Sequence, residues 1–230
     1  MRNAKKLEYG FSNEEFEIRL QRAQELLYEN KLDALLITIP SNLRYFTGID
    51  TNFWESPTRP WFLVIPLSGS PIAVIPEIGE KLFKKTFVKD IHTWPSPNLN
   101  GDDISPLKSL LESLPSRFGA IGAELGKEMS IRMPVLDLGL LQDNFKFDIV
   151  DGASLIWSLR IIKTLNEIKK IEKAAQIVSE VFSILPTFIS ANDSERDVAK
   201  KLKREILKRG VDNIPYLPVV SGTGGVSQII

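Results

Sequence analysis

The sequence predicts an α/β domain with a largely covered sheet over residues 1–152, followed over 153–230 by the opening of a second unit. Three observations predict it. Short apolar runs and amphipathic helical patterns alternate about every 15 residues up to Val150. Several of those runs are continuous, as strands buried on both faces are. After Val150 the rhythm changes to longer helical patterns that lead into one more apolar run.

The elements follow in order. Ser12 and Glu15 have the spacing of a capping box, in which each side chain satisfies a free backbone N–H at a helix start. Phe16, Leu20, Ala23 and Leu27 then recur at helical spacing, so an amphipathic helix is expected over 13–30. Asp33 to Ile39 reads as a buried strand ended by Pro40. A long loop is expected from Ser41 to Pro60. Trp61–Ile65 and Pro71–Ile75 read as a strand pair turning at Leu67 to Ser70. Helices are expected over 77–89, 104–114 and 130–142, and strands over 91–94, 120–124 and 147–150. Asp151 to Lys163 reads as a short helix and connector.

Thr164 and Glu167 form a second capping box, followed by an apolar face of Ile168, Ile171, Ala175, Val178 and Phe182. Pro186 is expected to end that helix. Asp193-Ser-Glu195 opens another, with Val198, Leu202 and Ile206 on one face and Gly210 at its end. Tyr216–Val220 reads as a strand and Ser221 to Gly225 as a tight turn. A strand and turn without partners are marginal, so more sheet is expected to follow. The segment past 153 is expected to expose an apolar helix face that such a sheet would cover.

Composition narrows the function classes. The chain is 43% hydrophobic and 25% charged, and Lys plus Arg and Asp plus Glu each count 29. With no net charge there is no global field toward nucleic acid or anionic membrane. No cysteine is present, which excludes disulfides, thiolate metal sites and a cysteine nucleophile. No apolar run approaches the ~20 residues that span a bilayer. A soluble cytoplasmic protein is expected.

Local motifs add little chemistry. His92 is the single histidine, so a two-histidine metal site cannot form, and no G-x-S-x-G elbow accompanies it. The acids are spread over helical patterns, and Asp212 is the last of them. Ser221 to Gly225 lacks the Lys-Ser/Thr ending of a phosphate loop. The basic residues around Arg160 to Lys173 and from Lys200 to Arg209 are interrupted by acids, as on solvated helix faces. The segment Asp50 to Pro60 differs, because it gathers Phe53, Trp54 and Arg59. Either something packs on these side chains, as at interfaces, or Trp54 folds back on its own domain.

As a set, several stretches resemble the creatinase and Xaa-Pro aminopeptidase family. Arg19-Leu20 through Ala34 to Ile37 and then Asn42 to Gly48 resemble its opening, and Ile121-Gly-Ala-Glu124 resembles its late strand. Leu159 to Ile168 with Ile171 to Ala175 resembles the linker and first helix of the catalytic "pita-bread" domain. Ser194-Glu195 and Pro218 to Gly222 fit the next helix and first strand. The resemblance implies a creatinase-type N-terminal domain, a ribonuclease-H-like mixed sheet with helices, followed by an incomplete α+β pita-bread domain.

It further implies a metal-dependent hydrolase acting on a C–N bond of a peptide or small amino-acid-like substrate. Peptidase members hold two divalent metal ions through two Asp, one His and two Glu, which activate a water and polarise the scissile carbonyl. All of these correspond to positions beyond Ile230, so none is carried over and the chain alone is expected to be inactive. The family's substrate-binding His has no counterpart in Thr223 to Ile229. That departure points toward relatives acting on small substrates, such as creatinase, ectoine hydrolase or the lyase that cleaves dimethylsulfoniopropionate. A homodimer is implied, with Trp54 and Arg59 as candidate substrate contacts in the neighbouring subunit. Two other classes stay open: a non-catalytic scaffold on the same fold, and a nucleic-acid module using the basic helices, whose binding would be salt-sensitive.

Overall fold

The structure is a computed structural model that describes residues 10–56, 59–98 and 104–222. It divides into two compact units, 10–162 and 163–222. The first is built on a six-stranded mixed sheet in the order β4-β3-β2-β1-β5-β6. The strands are β1 (Ala34–Ile37), β2 (Phe62–Pro66), β3 (Ile72–Pro76), β4 (Asp90–Trp94), β5 (Ala120–Ala123) and β6 (Asp148–Asp151). β1 runs antiparallel to β2 and parallel to β5, with Leu35 opposite Ile65 on one side and Gly122 on the other.

Alternation along the strands splits the core in two. Leu35, Ile37, Leu63, Ile65, Ala73 and Ile75 point to one face, where α1 (Asn13–Glu29), α2 (Pro40–Thr47) and α6 (Ala153–Ile161) cover them. Ala34, Leu36, Phe62, Val64 and Val74 point to the other, beneath α4 (Ser105–Ser113) and α5 (Val135–Gln142). β1 and β2 are buried at every position, which is why their sequences show no polar alternation. The α/β expectation holds, and the compact unit continues through α6 to Ile162, past the expected boundary at 152.

Asp33 fixes the entry to this sheet. Its buried carboxylate accepts hydrogen bonds from the main-chain N–H groups of Arg117, Phe118 and Gly119 at 2.6–3.0 Å, tying the turn before β5 to the start of β1. Asp33→Ala strands those donors beside partly exposed residues that water can reach. A loss of about 1–3 kcal/mol in urea unfolding is expected, with Asp33→Asn recovering part of it.

Four expectations are corrected. Ser41 to Pro60 is not all loop, because Pro40 opens α2 at its first turn and Gly48 closes it at φ +73. A side chain at Gly48 would also put a Cβ 2.8 Å from the Phe16 ring. The expected helix over 77–89 shrinks to a 3-10 turn at Glu77–Gly79 and α3 (Glu80–Phe83). Thr86 ends it there by donating to Phe83 O and accepting from Val88 N–H. Residues 130–134 stay outside α5, since the residue before Pro134 disfavours helix and Arg132 N–H is bonded to Thr38 Oγ1. Tyr216–Val220 pairs with no other strand among the described residues.

The second unit is a helix pair, α7 (Leu165–Ser183) and α8 (Glu195–Leu207), each with the complete capping box that its sequence carries. Ile177 and Val181 of α7 pack on Leu202 and Ile206 of α8. The adjoining stripe is the apolar helix face expected to be exposed past 153, and it stays open, with Ile171 53% and Phe182 51% exposed. Thr223–Ile230 lies outside the described residues.

Candidate functional site

The aromatic loop begins where Thr51 caps a 3-10 turn at Asn52–Glu55, its hydroxyl accepting from Phe53 N–H. Trp54 folds back onto its own unit and is only 8% exposed. Its ring meets Trp61 edge-on at 6.4 Å, and Trp61 in turn lies on Phe83 at 5.8 Å. Trp61 also covers Gly79 so closely that a Cβ there would fall 2.4 Å from the indole. Trp54 Nε1 is buried with no hydrogen-bond partner among the described residues. Of the three side chains that mark the loop, Phe53 and Arg59 are exposed. Trp54, Arg59, Ser56 and Thr38 share the wall of a cavity of about 10 Å³ with Trp61 and Arg132. That is about the space of one water. The structure thus brings Trp54 and Arg59 together, but only Arg59 faces outward.

A polar network lies behind this loop. Glu124, fully buried just past the end of β5, accepts from Thr38 N–H, Thr38 Oγ1 and Ile39 N–H at 2.7–2.8 Å through one oxygen. Its other oxygen accepts from Asn42 Nδ2 at 2.6 Å. Ile39 supplies no capping side chain to α2, so this carboxylate from the neighbouring strand takes that role at the positive end of the helix. Asn42 Oδ1 in turn accepts from Arg160 of α6. Burial pushes the Glu124 carboxyl above its ordinary value, against the opposing hydrogen bonds from Asn42, Thr38 and Ile39.

The network reaches the loop through Thr38. Its hydroxyl donates to Glu124 and accepts from the main-chain N–H of Arg132 at 2.9 Å. The Arg132 guanidinium donates to the carbonyls of Trp54 at 2.7 Å and Ser56 at 3.4 Å. On its other side Arg132 borders an open cleft of about 790 Å³, walled by Ile39, Pro40 and the 128–134 segment. Neither Glu124 nor Arg132 has a sequence signal of its own. Their partners lie 76–94 positions away, and only an acid ending an apolar strand, Ala-Ile-Gly-Ala-Glu124, hints at one of them.

The remaining candidates do not converge. His92 lies on β4, half-exposed, with Nε2 3.1 Å from Asp90 Oδ1. Among the described residues no three His, Cys, Asp or Glu side chains are grouped to hold a metal ion, so the implied metal pair does not fit these residues. Nor, among them, is any helix long and apolar enough to cross a membrane.

Residues 19–162 match the model of the Creatinase/Prolidase N-terminal domain. The chain is 26% identical over 215 residues to the probable dipeptidase PepE of Mycobacterium tuberculosis, covering 94% of this chain and 54% of that protein. Among solved structures, the dipeptidase of Pyrococcus horikoshii matches with a TM-score of 0.70 at 26% identity, over 88% of this chain and 52% of that one. The prolidase of Thermococcus sibiricus matches in fold, with a TM-score of 0.73 at 21% identity, over 90% and 53%. The chain spans about half the length of the curated relatives it matches.

Proposed function

The chain belongs to the Creatinase/Prolidase N-terminal domain family, and from that premise we propose that it is the N-terminal portion of a metal-dependent hydrolase cleaving a C–N bond. The observation that carries this reading is the match to a relative named as a dipeptidase across 94% of the chain. A dipeptide or small amino-acid-like molecule is the proposed substrate. The two divalent metals would be held by residues beyond those described, and the working form is a cytoplasmic homodimer. A lyase or hydrolase of a small osmolyte is the second reading, favoured by the absence of His from Thr223 to Ile229.

In this scheme the N-terminal unit offers its aromatic loop to the partner's active site. Arg59 is the outward group, able to hold a substrate carboxylate, while the mostly buried Trp54 carries the loop. Arg59→Ala in the full-length dimer should lower kcat/KM about 10- to 100-fold, the loss of one charge-assisted hydrogen bond. An unchanged kcat/KM would remove Arg59 from the site.

The reading as a whole is tested with the full-length protein loaded with Mn²⁺ or Co²⁺ and offered Xaa-Pro dipeptides, other dipeptides and small amidino or betaine substrates. Turnover that chelation abolishes and metal restores is expected, with none from residues 1–230 alone. Metal-independent turnover, or turnover by the 230-residue chain, would overturn it.

A further inference from the structure

We infer that Arg132 is a positioning residue for the aromatic loop, its guanidinium clamping the Trp54 and Ser56 carbonyls in the place from which Arg59 is presented. The functional part of this inference rests on the proposed role of the loop at the partner's active site; the clamp itself rests on geometry alone.

Three observations assemble it. First, the loop is held from outside its own turn. Its short-range bonds, Phe53 N–H to Thr51 Oγ1, Trp54 N–H to Thr51 O and Ser56 N–H to Phe53 O, close the turn on itself without tying it to the sheet. The Trp54 ring on Trp61 supplies one tie. The two carbonyl bonds from Arg132 supply another, on the side nearer Arg59. A guanidinium suits that task because its N–H donors are planar and set at a fixed angle, so one terminal nitrogen can hold two nearby carbonyls.

Second, the clamp has a rigid base. The Arg132 main chain is fixed by Thr38 Oγ1, and Thr38 is fixed by buried Glu124, which also holds Asn42 of α2. Asn42 accepts from Arg160 of α6. A continuous set of hydrogen bonds therefore runs from α6 through α2 and the ends of β1 and β5 to the loop. Third, Arg132 is separable from that base. Only its main-chain N–H joins the Glu124 network, so truncating the side chain removes the two carbonyl bonds to the loop and leaves the hydrogen bonds of Glu124, Thr38 and Asn42 in place.

The experiment uses Arg132→Ala and Arg132→Lys with two readouts. In the 230-residue chain, amide hydrogen exchange is followed at Trp54 and Ser56 against amides of β1 and β2. Arg132→Ala is expected to speed exchange at Trp54 and Ser56 about tenfold while the strands keep their protection. Arg132→Lys, able to reach one carbonyl at a time, should fall between. Unchanged exchange in the loop would overturn the clamp. Equal acceleration in the strands would overturn it too, by showing a general loss of stability.

In the full-length dimer, Arg132→Ala should lower kcat/KM, and the double variant with Arg59→Ala should lose little more than Arg59→Ala alone. Fully additive losses would contradict positioning. If Arg59→Ala is silent while loop exchange still accelerates, the clamp stands and the loop's role at the partner site fails.

Discussion

Glu124→Ala is expected to cost the 10–162 unit about 3–5 kcal/mol, enough to consume much of the stability of an ordinary domain. The carboxylate is fully buried and satisfies four donors, two of them main-chain N–H groups at the start of α2 that no other capping side chain serves. Alanine leaves all four without acceptors and opens a cavity between β1 and β5. Urea unfolding should show a lower midpoint with an unchanged slope. Glu124→Gln keeps one oxygen but turns an NH₂ toward a donor, so an intermediate loss is expected.

The pH dependence of that difference has a defined sign. Burial raises the folded-state pKa of Glu124 above its ordinary 4.5. Between the unfolded and folded values the folded chain binds the extra proton, so this contribution is complete below 4.5 and is lost as pH rises through the folded value. The stability gap between the protein and Glu124→Gln should therefore narrow as pH climbs above about 4.5. A gap that widens would mean that the four donors, rather than burial, control the carboxyl.

Trp61→Ala is the second large effect, expected at about 3–5 kcal/mol. Trp61 is 3% exposed, fills the space above Gly79, and carries both Phe83 and the Trp54 ring. Its removal takes away a wall of the core and the surface on which the aromatic loop rests. The signature should be twofold: a lower unfolding midpoint, and a Trp54 emission that shifts to the red as its ring gains water. Trp61→Phe should keep most of the stability, because a smaller ring still separates Gly79 from Trp54.

Much of the frame is legible in the sequence where a single periodicity governs. α1 shows its apolar stripe and Ser12 cap, and β1 shows a continuous apolar run. The capping box at Thr164 marks α7 because its partners are three positions apart, and Asp193-Ser-Glu195 marks the start of α8. Where two signals compete, the sequence misleads. Pro40 reads as the end of β1, yet it is also an acceptable first residue of α2. Glu77 to Lys89 has helical composition, but Thr86 offers the chain a side-chain bond that ends the helix.

On α7 two apolar stripes lie side by side, and tertiary packing buries Ile177 and Val181 rather than the stripe through Ile171 and Phe182. The candidate site is the least legible part. Trp54 and Arg59 are conspicuous as residue types, but the direction each faces depends on Trp61, Gly79 and Arg132. The network beneath them joins residues from β1, β5, α2 and α6, and such proximity exists only in the folded chain.

The central claim, that this chain is the N-terminal portion of a metal-dependent hydrolase, is tested most directly by reading the coding frame that follows the codon for Ile230. An open frame encoding two Asp, one His and two Glu in that order is the predicted result. A stop codon directly after Ile230 would contradict it and leave a non-catalytic member of the fold.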